Sequence, residues 1–474
     1  MLRKCLAVAV LFFVAFGSSS LAQENKENIV CQFDVIVQVD DWLSKLSDKF
    51  YGDMLAYPVI AQATNAKSAV DKTYAHIENV DLIEPGWKLC LVGVPTAEKM
   101  LGSKLKNAPV VDTTPVNLNG SVVVGAAQAF SGPLAAQGAS IQNGINLAVQ
   151  EVNQNRYLGR GQLQIIWADT AGNEAQAVTA FEKLIKQDKV VAILGPTLSS
   201  SAFAADPLAQ AASVPVIGSS NIVPGITAIG DYVFRTSMAE SAVISNTVQL
   251  AAQYKPMRQV VVVYDNVNAL TRNSAAEFER ALTTQGIKIL AMVPFETGSP
   301  DFSGQLAQLQ KLNADAIVLA ALSADAAKII SQARQFGVSS AIPFIGADSF
   351  NAPPFFKVGQ AAVEGVLTGA AWNITNNTGS NRRFVASYQA QYGSPPDQLA
   401  AQAYTAVLAL ATALRRADST DRVAVREALA KTEFIDTPLG LFSFDKNREP
   451  VHPVVLQIVQ SGALVTAQPT PPAP

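Results

Sequence analysis

The apolar positions of this chain fall into short solid runs separated by longer amphipathic stretches. Val122–Ala127, Leu163–Trp167, Val190–Leu194 and Val214–Gly218 are such runs, and helical periodicity fills residues 139–153, 174–187 and 200–212 between them. A second series follows at Val260–Tyr264, Ile287–Pro294, Ala316–Ala320 and Pro343–Ile345. Strands this apolar are covered on both faces, and regular alternation with helices predicts parallel sheets with right-handed crossovers. Two series predict an α/β protein with two doubly wound lobes. Ligands meet such sheets beyond the carboxyl ends of the strands, at helix N-termini.

The N-terminal part has another rhythm. Phe33–Val39 alternates as a strand does, Asp41 is placed to cap a helix over 42–50, and 58–65 reads as a second helix. Glu84-Pro85-Gly86 signals a turn and 87–92 a returning strand, so residues 31–93 form a small strand–helix–helix–strand block. Residues 94–120 read as an exposed linker, 121–465 as the large block, and 466–474 as a Pro-rich tail.

Residues 1–22 carry Arg3 and Lys4, a short apolar core and small residues near Ala22, the pattern of a cleaved secretory leader; an uncleaved anchor is the alternative, but the apolar run is short for a span. The expected location is therefore periplasmic or secreted. Export changes how the three cysteines are read. Cys5 leaves with the leader, and Cys31 and Cys90 remain as a pair in an oxidising compartment. Antiparallel pairing of the two small-block strands would bring them together as a disulfide, two unpaired thiols being the alternative.

The chain is 49% hydrophobic and 15% charged with a formal charge of −3. That composition supports sizeable cores and offers nothing basic for a nucleic acid. Only two histidines occur, His76 and His452, in different blocks. A histidine triad or histidine-rich metal site is not expected, no cofactor is called for, and no carboxylate pair stands out as catalytic. The chemistry sits instead in strand-end loops. Ser131 follows the first strand, Ser199 and Ser200 the third, and Ser220 and Asn221 the fourth. Hydroxyls and free backbone N–H groups on one sheet edge suit a carboxylate; simple helix capping is the other reading. In the second series Asp348 follows a strand, placed for a ligand cation or for capping the next turn. A carboxylate site on one lobe and a cation site on the other suit a zwitterion.

Residues 121–465 resemble the solute-binding proteins of branched-chain amino acid ABC transporters. The resemblance is carried by AFSGPLAAQG at 129–138, LGPTLSSSA at 194–202, VPVIGSSN at 214–221, YVFRTS at 232–237 and FIGAD at 344–348. It implies a type I periplasmic binding fold with three chain passages between lobes, lobe one at 121–240 and 372–446, lobe two at 241–371 and 447–465. It further implies hinge closure around an amino acid or related amide or carboxylate, delivered to a membrane permease. By the same resemblance Ser199 and Ser220 hold the ligand's carboxylate and Asp348 its ammonium. Ile222, Gln137 and Leu322 stand where the family often has a hydroxyl or an aromatic ring. A ligand sensor or cell-wall scaffold with the same fold is the alternative. Residues 31–93 resemble a LysM domain through Asp41-Trp42-Leu43, Asn65 and Leu82-Ile83-Glu84-Pro85-Gly86-Trp87. That implies peptidoglycan as a partner, with Asp41, Trp42, Leu43, Asn65 and Ile83 lining the glycan groove.

Overall fold

The computed structural model describes residues 29–467 apart from 32, 38–40, 52–55, 81, 103–115 and 377. The expected leader and tail residues 468–474 lie outside the described residues.

The small block begins with β1 (Phe33–Ile36), passes through helices Leu43–Tyr51 and Tyr57–Ser68, and returns in β2 (Lys88–Leu91). The first helix places Leu43, Leu46 and Phe50 on one face, and the second carries Pro58 in its first turn, where no N–H is needed. Leu43, Leu46, Val59, Ile60, Leu89 and Leu91 close a core between helices and sheet. β1 and β2 are antiparallel, with Asp34 opposite Cys90, so Cys31 is carried to Cys90 and the expected disulfide is formed, Cα to Cα 5.2 Å. The expected linker is corrected at its start. Val94–Leu101 is a helix whose Ala97 is buried in the small core. The block rests on the large one through Leu441 and through Phe50 and Phe434, whose ring centroids are 6.0 Å apart.

The large block opens with β3 (Asn119–Gln128), β4 (Arg160–Asp169), β5 (Ile193–Leu194), β6 (Val216–Gly218) and β7 (Val233–Arg235). These pair in parallel in the order β4-β3-β5-β6-β7 and form lobe one's sheet. The chain then enters lobe two through helix Glu240–Tyr254 and lays down β8 (Gln259–Asp265), β9 (Lys288–Phe295), β10 (Ala316–Ala320), β11 (Phe344–Gly346) and β12 (Leu367–Ala370). It returns to lobe one for helices Gly379–Tyr392, Gln398–Ala417 and Arg422–Ala430 and an antiparallel trio, β13 (Ile435–Thr437), β14 (Gly440–Phe444) and β15 (Pro450–Val451). β16 (Val455–Gln460) and β17 (Ala463–Thr466) finally add antiparallel to lobe two, whose order is β17-β16-β12-β11-β10-β8-β9.

The chain therefore passes between lobes at 236–239, 371–378 and 452–454. The last passage falls later than the expected 446/447 boundary, because β15 still pairs with β14 through Ser443 and Val451. In lobe one the helices Ala135–Gln154 and Gln398–Ala417 run against each other at Gly144. A Cβ there would meet the Ala400 carbonyl oxygen at 2.3 Å, so only glycine permits the approach.

Candidate functional site

On lobe one the site is built on the edge where β3, β5 and β6 end. Gly195 closes β5 at φ +125°, and a Cβ on it would meet the Ala127 carbonyl oxygen at 2.2 Å. Beneath the loop, Gln128 donates to the Leu194 carbonyl at 3.1 Å and accepts from the Thr197 hydroxyl at 2.7 Å. Thr197 in turn accepts from the Ala129 N–H at 3.0 Å. That buried network fixes the start of helix Ser199–Ala211. The Ala202 N–H bonds to the Leu198 carbonyl, while Leu198 offers no side-chain cap, so the amides before Ala202 open the helix without one. Ser199 is half-buried and accepts from the Val223 N–H at 3.4 Å, and Ser200 is exposed. Ser201 is buried with its hydroxyl unpartnered.

The neighbouring candidates divide. Ser220 is half-buried and donates to the Thr197 carbonyl at 2.7 Å, which seats it beside the helix start. Asn221 is fully buried and turned inward, its amide donating to the Pro196 carbonyl at 3.0 Å. It shapes the loop rather than facing a ligand. Ser131 is exposed, but its hydroxyl donates to Asp169 at 2.6 Å. Desolvation pushes the Asp169 carboxyl up, yet the hydrogen bonds from the Ser131 hydroxyl and from the Ala171, Phe130 and Ser131 N–H groups outweigh it and hold the carboxyl below its ordinary value. Ser131 is thus committed to a carboxylate of its own chain. Strand-end position alone does not distinguish these uses.

Arg235 was not singled out from the sequence. It is 1% exposed at the end of β7 and donates to the Asn221 and Val223 carbonyls at 2.7 and 2.8 Å. Its other nitrogens meet Glu449 at 2.7 Å, and Glu449 also accepts from Thr227. This pair ties the loop around Ser220 to the strand that leads into the third passage.

On lobe two, Asp348 begins the turn after β11 and is half-buried. It accepts from Asn351 at 2.5 Å and from Gln398 at 3.2 Å, and burial pushes its carboxyl above the ordinary value. Gln398 opens a lobe-one helix, so this bond joins the lobes. Glu240, also missed, opens lobe two's first helix and accepts from Ser274 at 2.7 Å. Burial raises its carboxyl, and the charge of Asp348 adds to the effect. Beside Asp348 a cavity of about 520 Å³ extends to the second passage and to the β16–β17 hairpin. Ile222 and Val223 near Ser199, and Val267 and Leu270 just beyond β8 on lobe two, are exposed apolar side chains.

In the small block, Trp42 is 51% exposed with the Lys45 ammonium 5.0 Å from its ring, and Asp41 pairs with Lys45 at 3.5 Å. Leu43 is corrected: at 2% exposure it belongs to the core and presents nothing to a glycan. Asn65 spends its amide on the Ile77 backbone, donating at 2.8 Å and accepting at 2.6 Å, and Ile83 is half-buried against the core.

Two parallel-sheet lobes, joined by three passages and carrying a helix-start site and an acidic loop at strand ends, define a type I periplasmic binding fold. A sequence profile described as periplasmic binding protein matches residues 121–463, and the chain belongs to that family. It is 23% identical over 327 residues to a leucine-, isoleucine-, valine-, threonine- and alanine-binding protein of Pseudomonas aeruginosa, covering 69% of this chain and 86% of that one. It is 25% identical over 368 residues to Leu/Ile/Val-binding protein homolog 7 of Brucella abortus, covering 73% and 91%. Among solved structures it is similar to a leucine binding protein of Thermotoga maritima, with 27% identity, TM-score 0.60 and coverage of 73% and 97%. The substrate-binding protein LivJ of Streptococcus pneumoniae, solved with isoleucine, gives 27%, 0.59, 73% and 98%. These relatives are solute-binding proteins, in line with the expectation of a binder rather than an enzyme.

Proposed function

We propose that this chain is the extracytoplasmic solute-binding protein of an ABC importer and holds an amino acid between its lobes. The ligand carboxylate lies on the open start of helix Ser199–Ala211, with Ser199, Ser200 and Ser220 around it. Its ammonium lies on Asp348. The observation that carries this reading is the pairing of opposite chemistries on the two lobes. Lobe one offers amides and hydroxyls at a helix N-terminus, and lobe two offers a carboxyl with amide partners at both oxygens. Binding in turn favours closure, because only the closed form makes both sets of contacts. The family's setting in ABC import supports a permease as partner and the periplasm as location, consistent with the leader expected at 1–22.

Calorimetry with a panel of amino acids tests it. Ser199→Ala is expected to weaken binding by about fivefold and Asp348→Asn by about thirtyfold, from losses of roughly 1 and 2 kcal/mol. No heat with any amino acid, or affinities untouched by both substitutions, overturns it. For the small block we propose a LysM-type attachment to peptidoglycan through Trp42 and Asp41, supported by the exposure of Trp42. Cosedimentation with purified cell wall, retained by Trp42→Ala, would refute it.

A further inference from the structure

The cavity beside Asp348 has one kind of chemistry. Asp348 and Asp397 line it with carboxylates, Asn373 and Gln457 with amides, and Trp372 and Phe356 with ring surface; no lysine or arginine does. Asp397 caps its helix and accepts from Ser140, but both bonds fall on Oδ1, which leaves Oδ2 to take a further donor. Gln457 is 2% exposed, lines the cavity, and its Oε1 has no hydrogen-bond partner. A buried acceptor without a donor is destabilising, and that cost disappears when a donor arrives with a ligand. Glu240 adds a further carboxyl close enough to feel the charge of Asp348. Among the described residues no three carboxylates, histidines or cysteines are grouped to hold a metal ion. The complement is an organic cation.

We propose that this cavity receives an ammonium or guanidinium carried on the ligand's side chain, so that the preferred ligand is a basic amino acid. The proposal rests on the preceding reading of where the ligand's own carboxylate and ammonium lie. Asp397 Oδ2 and Gln457 Oε1 accept from the side-chain cation, and Trp372 and Phe356 give it ring faces. An acidic side chain is rejected, because it would enter beside two carboxylates with no cation to meet it.

Calorimetry on the mature full-length chain with arginine, lysine, leucine and glutamate decides it. Arginine or lysine is expected to bind at least about tenfold tighter than leucine, and glutamate to give no heat. Gln457→Glu keeps the shape, adds a charge, and is expected to tighten the basic ligand about tenfold relative to leucine; Gln457→Leu is expected to weaken the basic ligand by a similar factor. The wild-type ranking stands as a test even if a variant fails to fold, which its melting temperature reports. Leucine binding as tightly as arginine and lysine, or a basic ligand indifferent to both folded variants, overturns the proposal while leaving an amino-acid receptor standing. Silence with every amino acid removes the receptor reading as well.

Discussion

Acid should loosen this protein at the third passage between its lobes, and His452 is the reason. The ring is 8% exposed and lies face-on to Phe442, centroids 6.0 Å apart with 23° between the planes. Its Nδ1 lies 3.1 Å from the Pro453 carbonyl oxygen and so is the N–H that donates; Nε2 then carries a lone pair and has no partner. A neutral ring fits that environment. An imidazolium would place a second N–H and a full charge where nothing accepts them. Burial accordingly pushes the ring down from 6.5 to about 4, with the Pro453 carbonyl opposing. The unfolded chain therefore takes up its proton first. Stability is whole above the unfolded pKa and is lost as pH falls through 6.5 towards 4. Integrating between pH 7 and 4.5 gives a loss of about 2 kcal/mol from this residue. Carboxyls titrate in the same range, so the measurement is a difference: urea unfolding of wild type and His452→Phe at both pH values. The wild type should lose about 2 kcal/mol more than the variant. The chain has only two histidines, so the ring proton resonances of His452 can be followed directly and should titrate displaced to low pH. Equal losses in wild type and variant, or a His452 ring that titrates near 6.5, would refute the reasoning.

Asp206 works in the opposite direction: it is 1% exposed, desolvation raises its carboxyl well above the usual value, and Oδ1 has no partner. The unfolded chain ionises it first, so its contribution is lost as pH rises above about 4; Asp206→Asn should raise the melting temperature at pH 7 by an amount worth roughly 1.4 kcal/mol per unit of displacement, and the gain should vanish near pH 4. The Cys31–Cys90 bond spans 59 residues, and Cys31→Ser with Cys90→Ser should destabilise the small block by about 4 kcal/mol, seen as an early transition in calorimetric scans while the large block melts unchanged. Arg235→Lys keeps the charge but loses the fork that grips Glu449 and two carbonyls, so stability should fall by about 3 kcal/mol and ligand dissociation should quicken, followed by denaturation and stopped-flow fluorescence.

What could be read from the sequence was what repeats locally. The central sheets announced themselves because strands buried on both faces are apolar without interruption; the runs at 122–127 and 260–264 lie inside β3 and β8. β7 was not marked, because its three residues include Arg235, and a buried arginine reads as polar until Glu449, 214 positions away, is beside it. The helix at 94–101 reads as linker because the stretch it opens is polar and rich in Pro, Asn and Thr, and only the burial of Ala97, with Met100 and Leu101 against the small core, reveals a packed face. The site follows the same division. Ser199 was legible because a helix start after a buried strand is a local feature. Ser131 and Asn221 show the same local feature, but partners at Asp169 and Pro196, distant in sequence, claim their side chains. The groups gathered beside Asp348 on lobe two are still more remote. Asp348 meets Gln398 across 50 residues, and Gln457 joins the same cavity from another strand. Pattern thus locates where a ligand's common groups would sit. The features that would sort one ligand from another depend on which distant side chains remain without a partner once the chain has folded, and no periodicity records that.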